Sequence, residues 1–278
     1  MCCRDPPISG AMLRGRSRSR APGGGLQLRQ AAPVDRVRID RPRQEAWVWL
    51  AHGASCTPVA WLVAWLILRS PLPLFDEAFT HDAWYAVGFK LIWMLLVPIA
   101  WLGWRGYRPR DLLAGWSPSI RSALALGTAL SVGLLINAGH LGPIRGLLAD
   151  ASPGAAGLGL AVGLVLPLLT AALPEELVFR ALLQTRLEAV VGRIVAVVVT
   201  AALFTAWHLP SRYLLSDGVE GQAGDLSSVL IGTGAPVLIV GLVLGLLWDR
   251  HRSLPVLIVL HWGVDLPPAV RHALGGRF

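Results

Sequence analysis

The feature that most limits how this chain can fold is a series of long apolar runs, each of about 18 to 24 residues. An α-helix rises about 1.5 Å per residue, so runs of this length cross a hydrocarbon core of about 30 Å. Only 15% of the residues are charged, against roughly 25% in a typical soluble domain. The sequence therefore predicts an all-α fold, a polytopic transmembrane helical bundle.

Seven spans are predicted and an eighth is left open. They lie at about residues 46–69, 83–104, 119–139, 156–174, 193–211, 227–248 and 253–270, the last being short enough to be partly re-entrant. Because Lys and Arg are enriched in cytoplasmic loops, the arginine-rich N-terminus is predicted to be cytoplasmic. Loops 70–82 and 212–226 are predicted to lie outside, and loop 180–193 inside. The expected location is a bacterial inner membrane.

Residues 1–45 form an arginine-rich segment that also contains many Gly, Pro and Ser residues. Such a composition cannot bury enough apolar area to offset the ordering of its backbone, so the segment is predicted to be disordered. Arginines before a first span usually set topology, and no nucleic-acid partner is predicted. Residues 46–278 then form one transmembrane domain with a motif-bearing core at 156–270.

Two adjacent carboxylates, Glu175 and Glu176, interrupt the fourth apolar run. If the residues after Pro174 are helical, Glu176 and Arg180 share a face because they are four apart. Glu175 lies about 100° round the same helix. One carboxylate is then neutralised by arginine while the other is free to act as a general base. The alternative is a helix N-terminus at the membrane edge with acidic residues in its first turn.

Further polar residues occur in other apolar runs. His208 ends the fifth predicted span, and His261 and Asp265 lie four apart in the last one. Ionisable groups within a membrane usually face a bundle interior or a wet cavity. Convergence of these side chains with the two glutamates on one buried site is therefore predicted. Lys90, alone in the second span, could line a cavity, but the favoured interpretation is a lysine that extends its stem towards the interface.

The sequence around these residues resembles a known family. The segments "EELVFR" at 175–180, "FTAWH" at 204–208 and "HWGVD" at 261–265 resemble, in order, the EExxxR, FxxxH and HxxxN/D motifs of the CPBP family. This family, also called ABI, contains CAAX prenyl endopeptidases and bacteriocin-processing or bacteriocin-immunity membrane proteins. The resemblance covers about residues 156–267.

The resemblance implies a membrane endopeptidase and a role for each motif residue. Glu175 would activate a water molecule with the help of His208, and Arg180 would hold Glu176. His261 and Asp265 would support the negative charge that develops on the carbonyl oxygen.

Asp265 stands where asparagine or aspartate occurs in the third motif. An ionised aspartate only accepts hydrogen bonds, whereas asparagine also donates them. Asp265 is therefore protonated, or it orients His261, or the protein is not an active protease. Orientation of His261 is the favoured interpretation, since a neighbouring carboxylate keeps a histidine a donor.

The predicted function is hydrolysis of peptide bonds in membrane-associated peptides or proteins, with the peptide and the lipid bilayer as partners and no cofactor. One alternative is a zinc protease, because four side chains supply enough ligands for a catalytic zinc: Glu175, His208, His261 and Asp265. Another is a non-catalytic immunity or scaffold protein.

The predicted topology contains one conflict. It places Glu175 near the cytoplasmic end of its span and His208 about fifteen residues into the next, which separates them by roughly 20 Å. For the two to meet, the helix after Pro174 must dip into the membrane, or a span boundary must be misplaced.

Overall fold

The structure is a computed structural model that describes residues 38–69, 84–113, 116–215, 217–218 and 220–275. The described residues are almost entirely helical, which confirms the predicted all-α class. Most of the predicted disordered segment, residues 1–37, and the predicted loop 70–82 lie outside the described residues. Helix α1 begins at Pro42, so the last residues of the predicted N-terminal segment are helical.

The longer helices follow one another along the chain with short connections. They are α1 Pro42–Arg69, α2 Ala86–Trp104, α3 Ile120–Ile136, α4 Leu141–Asp150, α5 Pro153–Val191, α6 Arg193–Leu215, α7 Leu226–His251 and α8 Leu254–Leu274. Short helical turns occur at Pro109–Leu112 and Ala138–His140. A small antiparallel hairpin, β1 Asp217–Gly218 and β2 Gly221–Gln222, connects α6 to α7.

The predicted number of spans was too high. Among the described residues, five helices are long and apolar enough to cross a membrane: α1, α2, α5, α6 and α7. The chain from α3 to α4 passes as a sixth only if both parts count together, with a bend of 65° between them. Helix α8 occupies the seventh predicted position but is less apolar, because it contains His261, Asp265 and three prolines. The protein remains a multi-pass membrane protein.

The length of helix α5 resolves the conflict between the predicted depths of Glu175 and His208 in the membrane. The predicted span ended at residue 174, but the helix is 39 residues long and continues to Val191, so that boundary was wrong. Glu175 consequently lies near the middle of the helix. The predicted loop 180–193 is helical almost throughout, and Arg180 and Arg186 are buried within the protein.

The backbone of α5 departs from a regular α-helix around its two internal prolines. A proline in a helix removes one backbone donor and displaces the preceding turn. The chain becomes π-helical over Leu168–Ala172 and again over Glu176–Gln184. The Thr170 hydroxyl donates to the Leu166 carbonyl at 2.9 Å. Such π-helical segments often occur at functional sites.

Glycines allow α8 to approach its neighbours closely. It packs against α3 and the first half of α5. A Cβ at Gly133 in α3 would lie 2.5 Å from the Leu260 carbonyl oxygen, and one at Gly163 in α5 would lie 2.6 Å from the Val270 Cα. These contacts leave no space for a side chain, as is typical of membrane helix crossings.

A second close crossing involves Gly241 and Gly245, whose four-residue spacing places both on one face of α7. A Cβ at Gly241 would meet the Ala201 Cα at 3.3 Å, and one at Gly245 would meet Gln184 at 3.2 Å. Helix α7 therefore packs closely on α6 and on the second half of α5.

Substitution of Gly133 by alanine is expected to lower the free energy of unfolding by about 1–3 kcal/mol, the usual cost of overpacking a core. Gly127 lies on the same helix, but a Cβ there meets nothing within 4 Å. Gly127→Ala is therefore expected to leave stability unchanged or raise it by up to about 1 kcal/mol. Thermal unfolding in detergent measures both changes, and equal shifts for the two variants would contradict the tight crossing.

A buried network at one end of the bundle ties α5 to α1. Glu45 accepts hydrogen bonds from the Tyr107 hydroxyl at 2.8 Å and from Arg186 Nε at 3.2 Å. Arg186 also donates to the Ala181 carbonyl at 2.6 Å. Burial and the hydrogen bond to Glu45 raise the pKa of Tyr107, which keeps its hydroxyl a donor. Because Arg186 pairs with Glu45 inside the protein, it can lie in a buried helix, although this segment was predicted to be a loop.

Candidate active site

The three motif-bearing helices meet around Glu175, which is buried near the middle of α5. Glu175 Oε2 lies 4.0 Å from His208 Nε2 of α6 and 3.7 Å from His261 Nε2 of α8. Side chains that are distant in sequence therefore surround one carboxylate. This convergence was expected from the sequence, and the length of α5 allows it without a re-entrant segment.

Glu176 has a different environment from its neighbour. Its Oε1 lies 3.3 Å from Arg180 Nη1 and accepts a hydrogen bond from His261 Nδ1 at 2.7 Å. The Arg180 guanidinium lies 4.2 Å above the centre of the Phe204 ring, in the geometry of a cation–π contact. Glu176 is thus neutralised by arginine and also orients His261.

Asp265 lies at the edge of the cluster. Its Oδ2 is 3.4 Å from His261 Nε2, and its side chain is 33% exposed. The neighbouring backbone is held by Asn137, whose Nδ2 donates to the Val264 carbonyl at 2.7 Å. His261 is therefore flanked by a carboxylate at each ring nitrogen, Glu176 at Nδ1 and Asp265 at Nε2.

The protonation pattern of His208 follows from its backbone contact. Its Nδ1 lies 2.7 Å from the Phe204 carbonyl oxygen. A carbonyl only accepts hydrogen bonds, so Nδ1 carries a proton and, in the neutral ring, Nε2 has the free lone pair. The ring also packs against Trp207, with 3.8 Å between ring centres. His208 Nε2 can therefore accept a hydrogen bond from a water molecule beside Glu175.

Lys90 belongs to this cluster, and its interpretation as a lysine directed towards the interface was wrong. Its Nζ lies 3.5 Å from Glu175 Oε1 and 5.3 Å from the centre of the Trp207 ring. The sequence signal for this role was weak, because a single lysine in an apolar run is compatible both with a place inside the bundle and with a place at the membrane interface. Its acidic partner is 85 residues away in the sequence.

The charges of the cluster can balance. Three carboxylates and three basic groups meet here: Glu175, Glu176, Asp265, Lys90, Arg180 and His261. With a protonated His261 and a neutral His208, the site has no net charge. Balance matters because an uncompensated charge within a protein interior or a membrane is costly.

Two cavities reach the cluster. The larger has a volume of about 680 Å³ and is lined mainly by apolar side chains of α3, α5, α7 and α8, with Glu175 and both histidines in its wall. The smaller has a volume of about 220 Å³. Both are bordered by Lys90, His208 and Arg212. The larger volume lies in the usual range for a ligand pocket.

The four side chains proposed as zinc ligands lie near one another, but they do not form a recognisable ligand set. Within the part of the chain that the structure describes, no group of three or more His, Cys, Asp or Glu side chains is arranged to hold a metal ion. His261 Nδ1 is already bonded to Glu176, and the Lys90 ammonium lies beside Glu175.

Comparison with known proteins supports the resemblance seen in the motifs. Residues 157–267 match the family model described as Rce1-like, type II CAAX prenyl endopeptidase Rce1-like. Comparison with curated proteins and with solved structures gave no match. The matched residues contain all three motifs and the helices that carry them. The motif-bearing part of this membrane protein, residues 157–267, therefore matches the CAAX protease, or CPBP, family.

Proposed function

We propose that this protein is a membrane-embedded endopeptidase that hydrolyses peptide bonds of membrane-associated peptides or proteins, with Glu175 as the general base. One observation carries the proposal: Glu175 is a buried carboxylate in the wall of a cavity, and one of its oxygens faces the ring nitrogens of His208 and His261. The family match supports a protease in general, and the roles of individual residues are part of the proposal.

The reaction begins with a water molecule held between Glu175 Oε2 and His208 Nε2. Glu175 takes a proton from this water as its oxygen attacks the carbonyl carbon. The carbonyl oxygen becomes negatively charged, and the carbon becomes tetrahedral. When the C–N bond breaks, the leaving nitrogen takes the proton from Glu175. The products are a carboxylic acid and an amine, and Glu175 is again ionised.

His261 supports the charged intermediate in this scheme. An imidazolium donates from both ring nitrogens. Glu176 accepts from Nδ1, while Nε2 faces Glu175, Asp265 and the larger cavity. Asp265 then acts as a positioning residue that fixes the His261 ring, in place of the direct donor that asparagine would provide.

The reaction is proposed to need no resident metal. Metal analysis of the purified protein is expected to find no stoichiometric zinc, and EDTA is expected to leave peptide hydrolysis unchanged. One equivalent of zinc, together with loss of activity on chelation and its return on adding zinc, would favour the zinc protease instead.

Activity itself is tested with purified protein in lipid vesicles and a varied set of hydrophobic peptides. Mass spectrometry is expected to detect new fragments, and in ¹⁸O-labelled water each new carboxyl group gains one ¹⁸O atom. If a folded sample cleaves neither a peptide nor a co-reconstituted membrane protein, the result favours the non-catalytic alternative, an immunity or scaffold protein.

The orientation in the membrane also remains a proposal. We propose that the N-terminus lies in the cytoplasm, on the basis of the arginines before α1, and that the membrane is a bacterial inner membrane. Accessibility of an N-terminal tag to protease in sealed inner-membrane vesicles of known orientation tests the placement.

A further inference from the structure

Lys90 has the surroundings of a reacting group. It is the only lysine in the sequence, and it lies in the π-helical part of α2, Ala86–Leu96. Its side chain is 21% exposed, and the open part borders both cavities. Its ammonium group lies beside Glu175 and the Trp207 ring. A strongly hydrated cation in an apolar helix needs such partners to be stable there.

Hydrolysis at this site needs a hydrogen-bond donor in addition to His261, and Asp265, the last residue of the third motif, does not provide it. Negative charge develops on the carbonyl oxygen, and donors fixed in position lower the barrier. Asp265 cannot donate when it is ionised. The Lys90 ammonium has three N–H donors. One is directed to Glu175 Oε1 at 3.5 Å, and the others are available to the cavities.

The two cavities also indicate where a peptide passes. They share Lys90, His208 and Arg212 in their walls. A peptide that extends from the larger cavity into the smaller one therefore passes between Lys90 and His208. Its carbonyl groups come close to Lys90, which contacts Glu175 Oε1, while the histidines face Oε2.

We propose that Lys90 is a catalytic residue, which donates a hydrogen bond to the carbonyl oxygen as it becomes an oxyanion. This role rests on the proposed peptidase function. No covalent bond to Lys90 forms in the reaction, and its proton stays on the ammonium group. The pair with Glu175 holds the ammonium in place before the peptide binds.

The test compares Lys90→Met and Lys90→Arg with the wild type in vesicles, using a peptide that the wild type cleaves. Lys90→Met is expected to reduce kcat by about 10²–10³-fold, the usual effect of losing an oxyanion donor, with KM within about threefold. Lys90→Arg is expected to keep part of the activity because it keeps a charged donor. Arg145, an exposed residue of α4, provides the control Arg145→Met, which is expected to leave kcat unchanged.

Binding of a phosphinate peptide separates contact with the oxyanion from mere positioning of Glu175. A phosphinate group has the tetrahedral shape and negative charge of the intermediate. Its affinity is expected to fall in Lys90→Met by about the same factor as kcat. A full loss of kcat with wild-type phosphinate affinity would overturn the proposal, as would full activity of Lys90→Met.

A measurement on the unmodified sequence avoids any variant that fails to fold. An amine-specific acylating reagent can label Lys90 and the chain N-terminus, since there is no other lysine. Bound phosphinate peptide is expected to slow labelling of Lys90 at least tenfold and to leave the N-terminus unaffected. Unchanged labelling of Lys90 with the phosphinate bound would contradict the contact. If the wild type cleaves no peptide, the proposed function fails whatever the labelling shows.

Discussion

Replacement of Glu175 by glutamine is expected to reduce kcat for peptide hydrolysis by about 10²–10⁴-fold, the range for loss of a general acid–base group. Glutamine keeps the size and shape of the side chain, but its amide cannot take a proton from water. Burial of Glu175 Oε2 without a hydrogen-bond partner is costly, whereas loss of the carboxylate leaves the Lys90 charge without its partner. The two effects on stability oppose each other, and the variant is expected to fold.

The matched control for this variant is Asp150→Asn, which removes a carboxylate at an exposed position at the end of α4. It is expected to change neither kcat nor stability. Rates are measured in vesicles, and folding is followed by circular dichroism and thermal unfolding. Wild-type hydrolysis by a folded Glu175→Gln variant would rule out Glu175 as the base.

Replacement of Arg180 by methionine is expected to lower the free energy of unfolding by about 3–5 kcal/mol, the usual cost of removing one partner of a buried ion pair. The change leaves the Glu176 carboxylate buried with His261 as its remaining partner. It also removes the cation above the Phe204 ring. The comparable change in a more exposed pair, Arg212→Met opposite Glu220, is expected to cost less than about 1 kcal/mol.

A double variant identifies the source of this loss. Glu176→Leu combined with Arg180→Met removes both charges, and most of the lost stability is expected to return, as it does when buried ion pairs become apolar. Activity is expected to stay low, because His261 then lacks the carboxylate that orients it. If the double variant is no more stable than Arg180→Met, the unpaired Glu176 charge is not the cause.

The sequence predicted the all-α class and the meeting of Glu175, His208, His261 and Asp265, because charged and polar side chains in separate apolar helices favour a common interior. It did not predict the length of α5. Mean hydropathy treats every charge as a sign of a loop, yet Arg180 pairs with Glu176 and Arg186 pairs with Glu45 inside the protein. Such pairs can be recognised only when the positions of the partner helices are known.

Predictions for the second and last helices were also made from each helix alone, without its partner helices. The partner of Lys90 lies in another helix, so the residues next to Lys90 in the sequence do not show whether it points inward. Helix α8 contains enough polar residues to fall short of a typical span, although it supplies His261 and packs tightly on α3 through Gly133 and Gly263. Side chains that form a site make their helix less apolar, which lowers the accuracy of counts based on hydropathy.

The most direct measurement is an experimental structure of the Glu175→Gln variant in a lipid environment with an uncleaved peptide bound. The account predicts that one peptide carbonyl lies between Lys90 and His208, with its oxygen within about 3.2 Å of Lys90 Nζ. Its carbon is expected to lie beside a water held by His208. A peptide bound elsewhere, with no carbonyl near position 175, would contradict the assignment of this cluster as the hydrolytic site.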